Sequence, residues 1–481
     1  MGLTTGRPRR VRDRSIQHAR RPEPGVADAA TAGGERWWAL GLLALGAFAR
    51  IALWWVNPPG NSFDNHYQPV FLIVEHGALP DKFACFQCYH PPLFYVMSAL
   101  VARALIVLGV GMVAVLKALQ FLSCAFAIAT TVVVYLVLRR LPPISPVGRL
   151  VALALVVFLP RHLYTGAMYS NDSAVCFFAV LSAHLVIRLV QGDTRWGTSL
   201  ALALTATAAI STKYTGLAVL PMIAVAVAMT CWRDRWRLAR GAVALAVPLV
   251  VLGAVIASHA RTYGVPLPDN RPIYDAVTRQ PRDPGGVSFT SFTPWQFIAH
   301  PVLRPGQLGS FWTLLFAGMW FDTEPRLALV VGDHGRWVAY YTWLTGASPT
   351  YREPPLPDTL WQLARSLEVL GLFWLLLGLT GAVDLVRRAS TLAPGTRELV
   401  PLVVLLVFTF TGVGVLVTHV PLYSAMKASY VLGALPAFAG LAALGAERWQ
   451  RRAGGVVVVG TAAHGAVVMV YVVYLLAASR S

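Results

Sequence analysis

Between Asp64 and Tyr95 the chain reads DNHYQPVFLIVEHGALPDKFACFQCYHPPLFY, and this stretch holds Asp64, His66, Glu75, His76, Asp81, Lys82, Cys85, Cys88 and His90. Only 13% of the chain is charged, so the density is a local departure. A carboxylate such as Asp64 can take a proton from a hydroxyl or amine as general base. Lys or Arg side chains can bind a phosphate and stabilise the charge that develops on it as it leaves. Polar residues beside a membrane span are costly to keep unless they face water or a site. The competing reading is a solvated connecting loop. Cys85 and Cys88 with His66 and His90 admit either metal ligation or a disulfide, and a single CxxC without a second pair favours the disulfide if the loop faces an oxidising compartment. Cys124, Cys176 and Cys231 lie in apolar runs and read as small buried hydrophobes.

Three short connections carry further charge: PRHLYTGAMYSNDS (160–173), STKYTG (211–216) and THVPLYSAMKASY (418–430). They contribute Arg161, His162 and Asp172, then Lys213, then His419 and Lys427. Each alone is explained by a helix end with a snorkelling cation. Their coincidence on one side of the membrane with an acidic, His-rich loop points to a composite site. Lys213 and Lys427, with Arg161 behind them, are the candidates for holding a phosphate. Asp172, in Asn-Asp-Ser ahead of an apolar run, reads first as a helix N-cap and second as a site residue.

The elements that must position these residues follow from composition. The chain has 481 residues, is 56% hydrophobic and has a mean hydropathy of +0.59. A soluble protein carries about 25% charged residues, so an all-α polytopic membrane protein is expected. The net charge of +18 comes from Arg in short segments between apolar runs, which is the positive-inside pattern and argues against a nucleic-acid partner. Residues 1–36, in which seven of the first twenty-one are Arg, are expected to be a disordered basic tail on the cytoplasmic side. Trp37–Val56 is then the first span, and the loop 57–92 emerges outside. An odd number of crossings must separate Asp64 from Arg139, so Gly111–Leu138 is read as a span and Leu93–Leu108 as a helix at the outer interface. Further spans fall near 149–167, 173–190, 198–212, 214–232, 241–258, 361–386, 398–418, 430–446 and 455–477, for about eleven in total. The divisions expected are a transmembrane core over 37–258, a long external segment over 259–360, and C-terminal transmembrane helices over 361–481.

The 259–360 segment is too long to lack structure of its own. Phe311–Trp320 reads as an interfacial or re-entrant helix with Trp312 and Trp320 at headgroup depth. Asp322, Asp333 and His334 follow it as weaker site candidates.

The first-loop acid, the G-x-x-P turn at Gly77–Pro80 and HPPLFY (90–95) together resemble the first external loop of the GT-C glycosyltransferases, in particular their ArnT-like and protein-mannosyltransferase-like members. MYSNDSAVCFF (168–178), TKYTGLAVLP (212–221) and KASYVLGALPAFAGLAA (427–443) are similar to segments that recur in that group in the same order. The resemblance spans 37–450. It implies a GT-C-like membrane fold and transfer of a sugar from a polyprenyl-phosphate donor to a glycan, lipid or protein acceptor on the external face, in a plasma-membrane protein. By position, Asp64 matches the group's catalytic carboxylate. The group often has two adjacent acids there, whereas Asn65 follows here. That departure speaks against a metal held between two carboxylates and leaves a divalent ion open through His66 and His90. The resemblance supports Lys427 by its place before the ASYVLGALP helix.

A transporter or flippase for a lipid-linked or anionic solute is the alternative. It would need ionisable groups near mid-membrane, whereas here they gather at one face. Neither the sugar nor the acceptor is encoded in a short motif.

Overall fold

The computed structural model describes residues 26–479 except 63, 143, 232–233, 270–286, 305–308, 333, 345–355, 391–395 and 421–424. The first twenty-five residues of the expected tail thus lie outside the described residues. Its last part does not match the expectation, because the first helix already begins at Val26.

Helices run in order as α1 (Val26–Val56), α2 (Tyr67–His76), α3 (Leu93–Val107), α4 (Met112–Leu138), α5 (Pro146–Phe158), α6 (Pro160–Ala167), α7 (Asn171–Val190), α8 (Trp196–Thr212), α9 (Val219–Cys231) and α10 (Arg235–Tyr263). The 259–360 segment, expected to be external, contributes α11 (Trp295–Ala299), α12 (Phe311–Trp320), α13 (Arg326–Gly332) and α14 (His334–Leu344). The chain closes with α15 (Asp358–Ser390), α16 (Thr396–His419) and α17 (Leu435–Ala478). Among the described residues the only β-type pairing is two isolated bridges, Ser62 with Tyr169 and Ser288 with Ser310.

Among the described residues seven helices are long and apolar enough to cross a membrane, or eight if the bent pair α5–α6 is one span. This is an all-α membrane fold with fewer clear spans than the eleven expected. The difference has identifiable sources. α8 and the Tyr214–Thr230 stretch are too short to pass that test. The expected last two spans form one continuous run, Ala428–Ala478, with a non-helical residue at Ala453 where it kinks. Apolar periodicity locates such segments, but it does not say whether a junction is a loop or a kink.

Local chemistry starts and stops these helices where function needs it. Ser145 accepts from Gly148 N–H at 3.1 Å and Pro146 takes the first helical position of α5. α2 ends on Gly77, whose φ of +66° is the left-handed conformation of a helix C-cap. Between α5 and α6 the axis bends by 45°. Pro160 has no N–H to give the preceding turn, and the Val156 and Val157 carbonyls are taken up instead by the guanidinium of Arg50, at 3.2 and 3.0 Å. Arg50 is fully buried in α1 and also meets Gly46 O at 3.0 Å and His162 Nδ1 at 2.7 Å.

The helix expected to be interfacial or re-entrant, α12, is largely buried, packed against α6, α15 and the 3-10 turn Ala428–Ala434. Trp312 is 40% exposed, but Trp320 is buried with its ring against Gly371, where a Cβ would collide with it. Trp320 is therefore a packing residue rather than a headgroup anchor.

Candidate active site

The first loop is held from below by amide side chains. Asn57 Nδ2 donates to Ala167 O at 2.8 Å, Asn61 Nδ2 to Asn57 Oδ1 at 2.7 Å, and Gln120 Nε2 to Pro58 O and Asn61 O at 2.8 and 3.0 Å. Lys117 reaches across from α4 to Asn57 O at 2.8 Å. On this footing Asp64 and Asn65 adopt φ values of +53° and +55°. Asn and Asp tolerate that left-handed region better than other non-glycine residues, and two in succession is a strained turn of the kind found at functional sites. The turn presents Asp64 to the segment before the 3-10 turn at Ala428.

There Lys427 Nζ donates to Asp64 Oδ2 at 2.5 Å, joining parts of the chain 363 residues apart. The Asp64 side chain keeps 30% exposure, so the pair is open to an incoming group. Burial works to raise the carboxyl pKa, but Lys427, then His66, outweigh it and hold Asp64 down at about 2. Lys427 is in turn raised above the ordinary lysine value: burial opposes its charge, and Asp64 and Glu324 overcome that. Beside this pair stands a second one. Lys213 Nζ lies 2.6 Å from Asp172 Oδ1, both side chains being buried, and 4.4 Å from the Tyr430 ring centroid. The helix cap expected of Asp172 is made by its neighbour, because Ser170 Oγ accepts from the Asp172 N–H at 3.2 Å. The Asp172 carboxylate is left to bind Lys213.

His66 and His90 also meet here. Their rings stack at 6.0 Å, and His66 Nδ1 lies 2.7 Å from the Tyr95 hydroxyl. Burial, helped by Lys213, pushes His66 down to about 3, so the imidazole is neutral at physiological pH. Arg161 is directed elsewhere: its Nε donates to Gly318 O at 2.6 Å and its Nη1 lies 3.6 Å from Asp322, which ties α6 to α12 and the turn after it. The side chain of His334, and all of Asp333, lie outside the described residues.

Sequence reasoning passed over Glu324, two residues beyond the Asp322 it had noted in WFDTEP. Burial raises the Glu324 carboxyl to about 7, against the pull of Lys427, with Asp64 and Asp322 adding to the rise. Arg326 follows, with its Nε 2.9 Å from Asn61 Oδ1. The available signal was the acid pair directly after an aromatic helix.

The donors do not suit a divalent ion. Among the described residues no three His, Cys, Asp or Glu side chains converge. Cys85 and Cys88 are joined in a disulfide, one Asp64 oxygen is engaged by Lys427, and His66 Nδ1 is engaged by Tyr95. The metal reading left open by the sequence therefore finds no ligand set among the described residues.

Residues 111–263 match the model of the dolichyl-phosphate-mannose-protein mannosyltransferase family. The matched residues contain both MYSNDSAVCFF and TKYTGLAVLP. Solved structures similar to this chain include the protein O-mannosyltransferase complex of S. cerevisiae bound to the sugar donor, at 15% identity and TM-score 0.38, over 54% of this chain and 39% of that one. The oligosaccharyltransferase of Archaeoglobus fulgidus is similar at 13% identity and TM-score 0.47, over 91% and 52%. ArnT from Cupriavidus metallidurans is similar at 13% identity and TM-score 0.36, over 85% and 78%. The chain thus spans about half or less of the first two of these proteins. No curated relative matches the sequence.

Proposed function

We propose that this chain is an integral-membrane glycosyltransferase that moves a sugar from a polyprenyl-phosphate donor to a glycan, lipid or protein acceptor. Its active site faces the exterior and its N-terminus the cytoplasm, with the eleven apolar segments as crossings. The observation that carries the reading is the Asp64–Lys427 pair, seated next to Lys213–Asp172.

Lys427 and Lys213 bind the donor phosphate and stabilise the negative charge that builds on it as it leaves. A carboxyl held at about 2 is a poor proton acceptor while Lys427 faces it. When Lys427 turns to the phosphate, Asp64 loses its largest stabilising partner and becomes basic enough to accept the acceptor's proton. The acceptor oxygen or nitrogen then forms its bond to the anomeric carbon as the bond from that carbon to the phosphate oxygen breaks, releasing polyprenyl phosphate. Neutral His66, steadied by Tyr95, supplies hydrogen bonding without competing for the phosphate.

The test is mass spectrometry of membranes containing the active protein or its Asp64→Asn variant. The expected outcome is a hexose, pentose or amino-sugar increment on an acceptor that disappears with Asp64→Asn while the variant still inserts and folds. Full transfer by that variant would remove Asp64 from the mechanism.

A further inference from the structure

Beside the Asp64 centre lies a cavity of ≈ 420 Å³, between the 79–92 part of the first loop and the C-terminal end of α10. It is within the size range of small-ligand pockets, about 300–1,000 Å³. It shares His90 and Tyr95 with the wall around His66, but neither Lys213 nor Lys427 lines it. A ligand held here sits next to the reacting centre without competing for the two cations assigned to the donor phosphate.

The chemistry of the cavity is specific. His90 and His259 both line it, both are more than nine-tenths buried, and the Nδ1 of each has no hydrogen-bond partner among the described residues. Buried polar nitrogens are rarely left in this condition unless a ligand or water completes them. Lys82 contributes its ammonium, which donates to His90 O at 2.9 Å and makes no ion pair among the described residues. Burial lowers Lys82 to about 8 against the opposing pull of Asp81, which also lines the cavity. The Ser258 and Thr262 hydroxyls are on α10, while Leu79, Pro80 and Pro92 offer apolar faces of the kind that pack on the C–H faces of a sugar ring. The Cys85–Cys88 disulfide fixes the loop that forms this wall, and Tyr263 braces it, its ring 5.5 Å from that of Phe83.

We propose that this cavity is the acceptor subsite, and that it receives a hydroxyl-rich group carrying a carboxylate or phosphate: Lys82 binds the anion, and His90 and His259 bind the hydroxyls. As an acceptor site it rests on the transferase reading; as a binding site it does not.

The experiment is thermal unfolding of the full-length protein in detergent, followed by tryptophan fluorescence, with glucuronate, glucose 6-phosphate, glucose and inorganic phosphate as probes. Ligands that bind only the folded state raise the midpoint with concentration. The expected result is a dose-dependent rise with glucuronate and glucose 6-phosphate that clearly exceeds the rise with glucose or phosphate. That rise is lost in Lys82→Gln and in Thr262→Trp, which fills the cavity, and is kept in Asp64→Asn. His259→Leu serves if either of the first two variants does not fold. A response to inorganic phosphate equal to that of the charged sugars would reduce the cavity to a plain anion site and overturn the proposal. So would a response that survives in every cavity variant, or no response at all. If the response behaves as expected while membranes show no sugar transfer, the transferase reading fails and the binding site stands.

Discussion

Lys427 is shared by two carboxylates of different character, and this sets what each residue does. Asp64, held at about 2, is ionised at every physiological pH, whereas Glu324, lifted to about 7, is protonated below neutrality and ionised above it. An ionised Glu324 adds a second negative charge near Lys427 and repels an incoming phosphate. Donor KM should therefore rise as pH increases through about 7, and Glu324→Gln should flatten that profile; an unchanged profile would exclude Glu324 as its source. In the proposed mechanism Lys427→Gln removes a charge-assisted bond to the donor, an interaction on the order of 1.5–3 kcal/mol, so kcat/KM should fall by roughly 10- to 150-fold. Lys427→Arg should recover part of that loss if the role is phosphate binding. Steady-state kinetics with a labelled polyprenyl-phosphate sugar measures both.

The elements depend on two devices that composition does not announce. The first is the broken helix α5–α6, which carries Arg161 to Asp322 and is completed by Arg50. A buried acceptor stripped of its partner costs about 1–3 kcal/mol, and Arg50→Met strips the Val157 carbonyl and leaves the Val156 carbonyl only His162 Nδ1, at 3.4 Å. Its unfolding midpoint in detergent should drop markedly, with activity lost through displacement of α6. A midpoint equal to that of the native protein would show that the two carbonyls find other donors. The second device is the crossing of α15 and α17, where Gly381 faces the Leu441 carbonyl and Gly445 the Leu377 carbonyl. A Cβ at either position would overlap backbone, and membrane helices use small residues for such close approach. Gly445→Leu should therefore separate the two helices and lower yield and stability, whereas Gly455→Ala, which meets open space, should be silent in the same assay.

At the scale of the whole molecule, the fold gathers the Asp64 loop, Lys213 and Lys427 in one place, and the proposed topology puts them outside. A cysteine at Val110 should react with an impermeant thiol reagent applied to intact cells; labelling only from the cytoplasmic side would invert the scheme. The apolar runs and the positive-inside pattern were enough to read an α-helical membrane protein, because hydropathy and charge are properties of segments, while the resemblance of the first loop put Asp64 forward as a candidate and charge put forward Lys213 and Lys427. Span counting was less secure, since a kink at Ala453 and a loop look alike in a hydropathy pattern. The pairing of Asp64 with Lys427 across 363 residues, the transfer of Asp172 from cap to ion pair, the turning of Arg161 toward Asp322 and the entry of Glu324 were decided only by the tertiary structure. Charge partners and burial depend on which helix ends meet in space, and no local pattern of residues encodes that.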